Sequence, residues 1–155
     1  MKKLIVIFIA LITMAAAFAA PLPPKTRQLI ESELPKLEQD LEHNKEVLDN
    51  SRLQAEILEG ILSRLDKKHE LTRPGRKFLK ALTKYNEWLA EYIAASEKLH
   101  EIYRRMLETG SIDRSLYGVD FDNIAGRGDA VENNYDKAQA EYNAAVRAYN
   151  LKRGM

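Results

Sequence analysis

The sequence predicts an all-α fold: an elongated, antiparallel, three-helix coiled-coil-like bundle behind an N-terminal export signal. Three observations predict it. Apolar residues recur at alternating spacings of four and three over three long stretches, the period that holds one seam of a helix against a neighbour. The seven glycines and five prolines fall mostly between those stretches, which argues against an all-β or a disordered chain. The 155 residues, less a signal, suffice for one ordinary domain and are too few for two.

The signal is read first. Met1-Lys2-Lys3 is a short positive region, Leu4 to Phe18 is apolar apart from Thr13, and Ala17-Phe18-Ala19 has the small-x-small form of a cleavage site. Cleavage is expected after Ala19, because cleavage after Ala20 would set Pro21 beside the scissile bond. The apolar run is shorter than the roughly 20 residues of a membrane-spanning helix. Periplasmic or secreted localisation in a bacterium is therefore expected, with inner-membrane anchoring by an uncleaved signal as the alternative. The chain has no cysteine, so disulfides, thiol nucleophiles, cysteine zinc sites and a lipidated N-terminus are excluded.

Residues 20–29, with Pro21, Pro23 and Pro24, read as a Pro-rich linker, and residues 30–155 as one helical-bundle domain. The first seam runs Ile30, Leu34, Leu37, Leu41, Asn44, Leu48, Ser51, Ala55, Leu58, Leu62, Leu65 and predicts a helix over about residues 35–70. Pro35 either lies in the first turn of that helix, with 25–34 a separate segment, or kinks one longer helix. Val47, Ile57 and Ile61 flank the seam and point to more than one neighbour. Asn44 and Ser51 interrupt it, either fixing register or marking where it opens to solvent. Thr72-Arg73-Pro74-Gly75 reads as a tight turn.

A second helix over about residues 75–108 carries Phe78, Leu82, Tyr85, Leu89, Tyr92, Ser96, Leu99, Tyr103 and Met106, and Gly110 is its expected stop. Residues 110–128 form an irregular loop in which Ser111 would cap a short helix over Ile112–Tyr117. Asp129 would cap the third helix, about 129–152, with the seam Val131, Tyr135, Ala138, Tyr142, Ala145, Tyr149. At about 1.5 Å per residue the first two helices span about 50 Å and the third about 36 Å. The third is expected to start near the end of the second and run back along it, so that it stops short of the Thr72–Gly75 turn and leaves the tip of the first hairpin clear as a two-stranded arm.

That tip is charged. Residues 31–59 carry a net charge of −6 and residues 64–84 a net charge of +6, although the whole chain is formally +1. The basic set Arg64, Lys67, Lys68, Arg73, Arg76, Lys77 and Lys80 is the candidate partner-binding site, with Ile61, Leu65, Phe78 and Leu79 as possible apolar anchors. Lys67 and Lys68 near a helix C-terminus complement its dipole, whereas Arg76 and Lys77 at an N-terminus do not. Dipole chemistry therefore leaves part of the cluster unexplained. Without interleaved exposed aromatics, the basic set does not point to nucleic acid.

Catalytic and metal signatures are sparse. Each histidine follows an acid by three residues (Asp40/His43, Asp66/His69, Glu97/His100), the spacing of helical metal sites, but Asp40, His43 and Glu97 fall on outer faces, His100 lies beside the seam position Leu99 and His69 is at the helix end, so the pairs cannot converge. No metal or cofactor is expected. Asp120-Phe121-Asp122-Asn123 begins like a calcium loop but lacks its closing acid. Arg127-Gly128-Asp129 spells an adhesion tripeptide at a helix start. The tyrosines at heptad spacing predict an aromatic seam between the second and third helices. The run Tyr142-Asn143-Ala144-Ala145-Val146-Arg147-Ala148-Tyr149-Asn150 resembles the last helix of LemA-type envelope proteins. Nothing upstream extends that likeness, and no function is carried over.

The functional expectation is an exported, non-enzymatic interaction protein of the bacterial envelope: an adaptor, chaperone-like factor or secretion-system accessory. Its partner would be an envelope protein or an anionic envelope surface, and a homo-oligomer is possible. The alternative is a small-ligand or metal/haem carrier. An enzyme would have to use the 110–128 segment, with Asp120 and Asp122.

Overall fold

The structure, a computed structural model, describes residues 20–154, so the expected signal lies outside the described residues. The described chain is all-α. Its elements are α1 (Pro24–Arg64), α2 (Thr72–Thr109), a 3-10 turn (Arg114–Gly118), α3 (Phe121–Gly126) and α4 (Gly128–Arg153). No described helix is long and apolar enough to cross a membrane. Contacts group the chain into two compact units, residues 20–45 with 91–126, and residues 46–90 with 127–154.

α1 starts earlier and ends earlier than its seam predicts. Pro24 opens it, where a missing N–H costs nothing. The helix runs through Pro35 as one element, settling the alternative in favour of a longer helix. An interior proline costs about 3 kcal/mol. Ile30 and Leu37 on either side are fully buried, and their burial offsets that cost. The expected linker is correspondingly short and is not free. Leu22 donates to the Gly110 carbonyl at 2.8 Å, Ile112 donates to the Ala20 carbonyl at 3.0 Å, and Pro21 bridges to Ser111.

In the first unit, α1 and α2 run antiparallel, as the pairs Glu38–His100 and Lys45–Glu97 show. Leu41, Ile93, Leu99, Ile102, Met106, Leu116 and Phe121 are buried there. The segment after α2 is therefore core and not a solvated loop. Gly110, at φ +66°, ends α2 as expected. Asp113, not Ser111, caps the 3-10 turn, accepting from the Ser115 N–H at 2.9 Å and from Arg105 Nε at 3.0 Å. The bonds from Ser115, then the Arg105 charge, hold the Asp113 carboxyl below the usual aspartate range. The chain then folds back so that Phe121 meets Tyr92, ring centroids 5.3 Å apart. Tyr92, expected in the tyrosine seam, packs here on Phe121.

In the second unit, Ser51–Asn86 and the approach of Leu62 to Gly75 set α2 antiparallel to α1, and Phe78–Tyr142 and Tyr85–Tyr135 set it antiparallel to α4. Leu58, Leu62, Phe78, Leu82 and Ala138 form the core, with Tyr135 and Tyr142 packed against it. Two ring pairs are stacked, Phe78–Tyr142 at 5.6 Å and Tyr85–Tyr135 at 5.0 Å, so the predicted tyrosine seam exists here. Ser51 is buried, and its hydroxyl donates to Asn86 Oδ1 at 2.5 Å. A polar seam position is thus matched by a polar partner on the facing helix.

α4 begins differently from its sequence reading. The expected cap, Asp129, lies in the first turn, and the cap position is Arg127 in helical conformation with no side-chain cap bond. The chain enters from α3 already nearly helical, and the Val131 N–H reaches the Arg127 carbonyl at 3.2 Å. Gly128 fixes the approach: a Cβ there would lie 2.7 Å from Cζ2 of Trp88.

Two outcomes follow from this packing. Gly128→Ala forces the Trp88 ring or the α4 start to move and lowers stability by about 1–3 kcal/mol, measurable by denaturant unfolding. Tyr103 is 1% exposed, and its hydroxyl has no hydrogen-bond partner among the described residues. Burial pushes that hydroxyl above the ordinary tyrosine range. Tyr103→Phe removes an unpaired buried polar atom and raises stability by about 1 kcal/mol; a loss of that size would show that the hydroxyl is satisfied in solution.

Candidate binding surface

The candidate basic residues lie at the connection between α1 and α2 in the second unit. This connection is placed differently from the prediction. α1 stops at Arg64, and residues 65–71 form the turn. Asp66 organises it. Its carboxylate accepts the Lys68 N–H at 2.8 Å, and its carbonyl accepts the Thr72 hydroxyl at 2.8 Å and the His69 N–H at 2.9 Å. Thr72-Arg73-Pro74-Gly75, read above as the turn, is the first turn of α2, where proline is tolerated.

Arg64 therefore ends α1, Lys67 and Lys68 sit in the turn, and the rest ride on α2. Arg73, Arg76, Lys77, Lys80 and Lys84 fall at i, i+3, i+4, i+7 and i+11, which is one stripe of a helix. The opposite face carries Phe78 and Leu82, both buried, so burial of one side turns the cations outward. Arg64, Lys67, Lys68, Arg73, Arg76 and Lys80 are exposed and form no ion pair among the described residues. Lys77 differs: its ammonium donates to Glu141 of α4 at 2.5 Å. Of the proposed apolar anchors, Phe78 is 2% exposed and cannot reach a partner, Leu65 and Leu79 are half-buried, and Ile61 is open at 45%.

The tip does not stand clear of the third long helix. α4 starts against Trp88, well back along α2 and not near its end, so it reaches the turn. Tyr149 packs on His69, ring centroids 5.0 Å apart, and Lys152 donates to Glu70 at 2.6 Å. The Arg153 guanidinium lies 5.0 Å over the Tyr149 ring. Heptad spacing alone does not reveal this support, because it does not fix where along α2 the last helix starts. The Lys152 bond and charge hold the Glu70 carboxyl below the usual glutamate range, and Lys77 does the same for Glu141.

Open clefts lie on the first unit. A groove of about 560 Å³ is lined by Glu38, Leu41, Glu42, Lys45, Glu97 and His100. Here Glu97 and His100, expected on faces that cannot converge, do share one site with α1 carboxylates. His100 Nε2 lies 2.8 Å from Glu38 Oε1, and Lys45 lies 2.8 Å from Glu97. Glu97 raises the Lys45 pKa through its hydrogen bond and charge. The groove's charges are thus largely spent on each other. A shallower cleft of about 330 Å³ lies beside Lys98, Val119 and Asp120. Asp120 is occupied locally, accepting from Asn123 Nδ2 at 3.0 Å. Among the described residues, no three His, Asp or Glu side chains are arranged to hold a metal ion. Arg127-Gly128-Asp129 is part of the α3–α4 joint, with Gly128 buried.

No protein family, curated protein or solved structure matches this chain.

The depressed carboxyls give a direct check on α4 docking at the tip. Both pairs are intact at neutral pH and are lost on the acid side as pH falls through the lowered glutamate values. Carbon-detected NMR titration should place the Glu70 and Glu141 midpoints below 4.5, the ordinary value, and Lys152→Ala should return Glu70 toward it.

Proposed function

We propose that this chain is an exported, non-enzymatic helical interaction protein of the bacterial envelope, whose basic surface at the α1–α2 connection binds an anionic partner. The single observation that carries the reading is the cationic stripe of α2 with the adjoining turn, where Lys67, Lys68, Arg73, Arg76 and Lys80 are exposed with no ion pair among the described residues. A field of one sign attracts and steers an anion and weakens as salt screens it. The α4 contacts with His69 and Glu70 support the turn, so the cations are displayed from a braced element. The heptad spacing of the seams supports coiled-coil-like packing of the helices beneath. The lysine pair and apolar run at the N-terminus support export.

The test is a charge reversal that spares the packing. Arg73→Glu, Arg76→Glu and Lys80→Glu are combined, leaving Lys77 because it also holds Glu141. Vesicles containing phosphatidylglycerol and envelope extract supply the anionic partners. Each exposed charge contributes modestly, ~0.2–1 kcal/mol, so the triple reversal should weaken retention about tenfold at low salt with the helical circular dichroism unchanged. Moderate salt should weaken the wild type in the same direction. Equal retention of both proteins would remove the basic surface from the function.

A further inference from the structure

Three of the six large apolar side chains that are exposed among the described residues lie within nine residues of α1: Leu53 at 55%, Ile57 at 56% and Ile61 at 45%. They face away from the core side of the helix, where Ser51, Leu58 and Leu62 are buried. Together with Glu46, Asn50, Gly60 and Arg64 they define a second heptad seam. Its positions are Glu46, Asn50, Leu53, Ile57, Gly60 and Arg64, at spacings of four, three, four, three and four, with Ile61 alongside.

Gly60 adds an independent argument. A glycine inside a helix costs about 1 kcal/mol relative to alanine. Nothing lies within 4 Å of where its Cβ would be, and its φ is not positive, so no contact within the chain requires it. A missing side chain on an exposed apolar seam lets another backbone come close.

The seam is also self-complementary in charge. In an antiparallel coiled coil, a positions face d positions of the partner. Turning a second copy of this helix about an axis near residue 55 sets Leu53 against Ile57, Asn50 against Gly60, and Glu46 against Arg64. Each pair occurs twice by symmetry, so the apolar centre is closed at both ends by opposite charges. Glu46 and Arg64 are exposed and form no ion pair among the described residues. A parallel arrangement would instead stack Glu46 on Glu46 and Arg64 on Arg64.

We infer that the outer face of α1 from Glu46 to Arg64 is the contact of an antiparallel homodimer, with a second copy of this chain as its occupant. The inference does not depend on the anionic partner proposed above. One helical face is small beside the roughly 1,200–2,000 Å² of standard interfaces, so the dimer dissociates on dilution.

Sedimentation equilibrium of the purified protein over a concentration series, up to about 1 mM, tests it. Wild type should shift from monomer to dimer mass. Ile57→Gln should weaken association about tenfold or more. Glu46→Arg and Arg64→Glu should each weaken it, and the two combined should restore it. Gly60→Ala should weaken the dimer while raising the stability of the monomer. Four results would each overturn the inference. They are a monomer at every concentration, which would leave the seam for a different protein; a dimer indifferent to Ile57→Gln; no restoration by the double charge swap; and a dimer strengthened by Gly60→Ala.

Discussion

The packing of α4 against α2 sets the geometry of the second unit, and the closest point of that packing is Gly128 on Trp88. Because α4 starts there, its tyrosines at heptad spacing meet Tyr85 and Phe78 in succession and its last turn arrives at the α1–α2 turn. The same contacts bury one face of α2 and leave Arg73, Arg76 and Lys80 on the other. Charge display at the tip is thus a consequence of apolar packing elsewhere on the same helix. The ion pairs at the tip are solvent-exposed and add little by themselves. Their value is positional, since Glu141 and Glu70 tie Lys77 and Lys152 to defined partners and leave Arg73, Arg76 and Lys80 without an ion pair among the described residues.

The seams were legible because heptad spacing is a strong signal over long stretches. Phe78, Leu82, Leu89, Leu99, Tyr103 and Met106 are all buried as their spacing requires. The ends of the helices were not legible. Thr72-Arg73-Pro74-Gly75 has the composition of a turn, yet proline and glycine are both accommodated in the first turn of α2. The actual turn is built by Asp66 and Thr72 through side-chain bonds to backbone, which composition does not reveal. Pro35 left two readings open, and buried Ile30 and Leu37 decided between them.

The segment 110–128 was the largest gap. Its spacing shows no period, so it read as a loop, but Leu116 and Phe121 are fully buried and the chain doubles back onto α2. Within the second unit, α4 starts against Trp88 and its last turn reaches His69 at the tip. The basic residues themselves were readable from charge counting alone. Which of them are already paired was not, because the partners of Lys77 and Lys152 lie 64 and 82 residues away in the sequence.

The proposed function requires cations that are unpaired in the folded chain and become covered when an anionic partner binds. Lysine acetylation followed by mass spectrometry reads this residue by residue. Lys67, Lys68 and Lys80 should react faster than Lys77 and Lys152, and anionic vesicles or envelope extract should protect the first group selectively. Uniform reactivity across the five lysines, or no protection by any anionic partner, would contradict it.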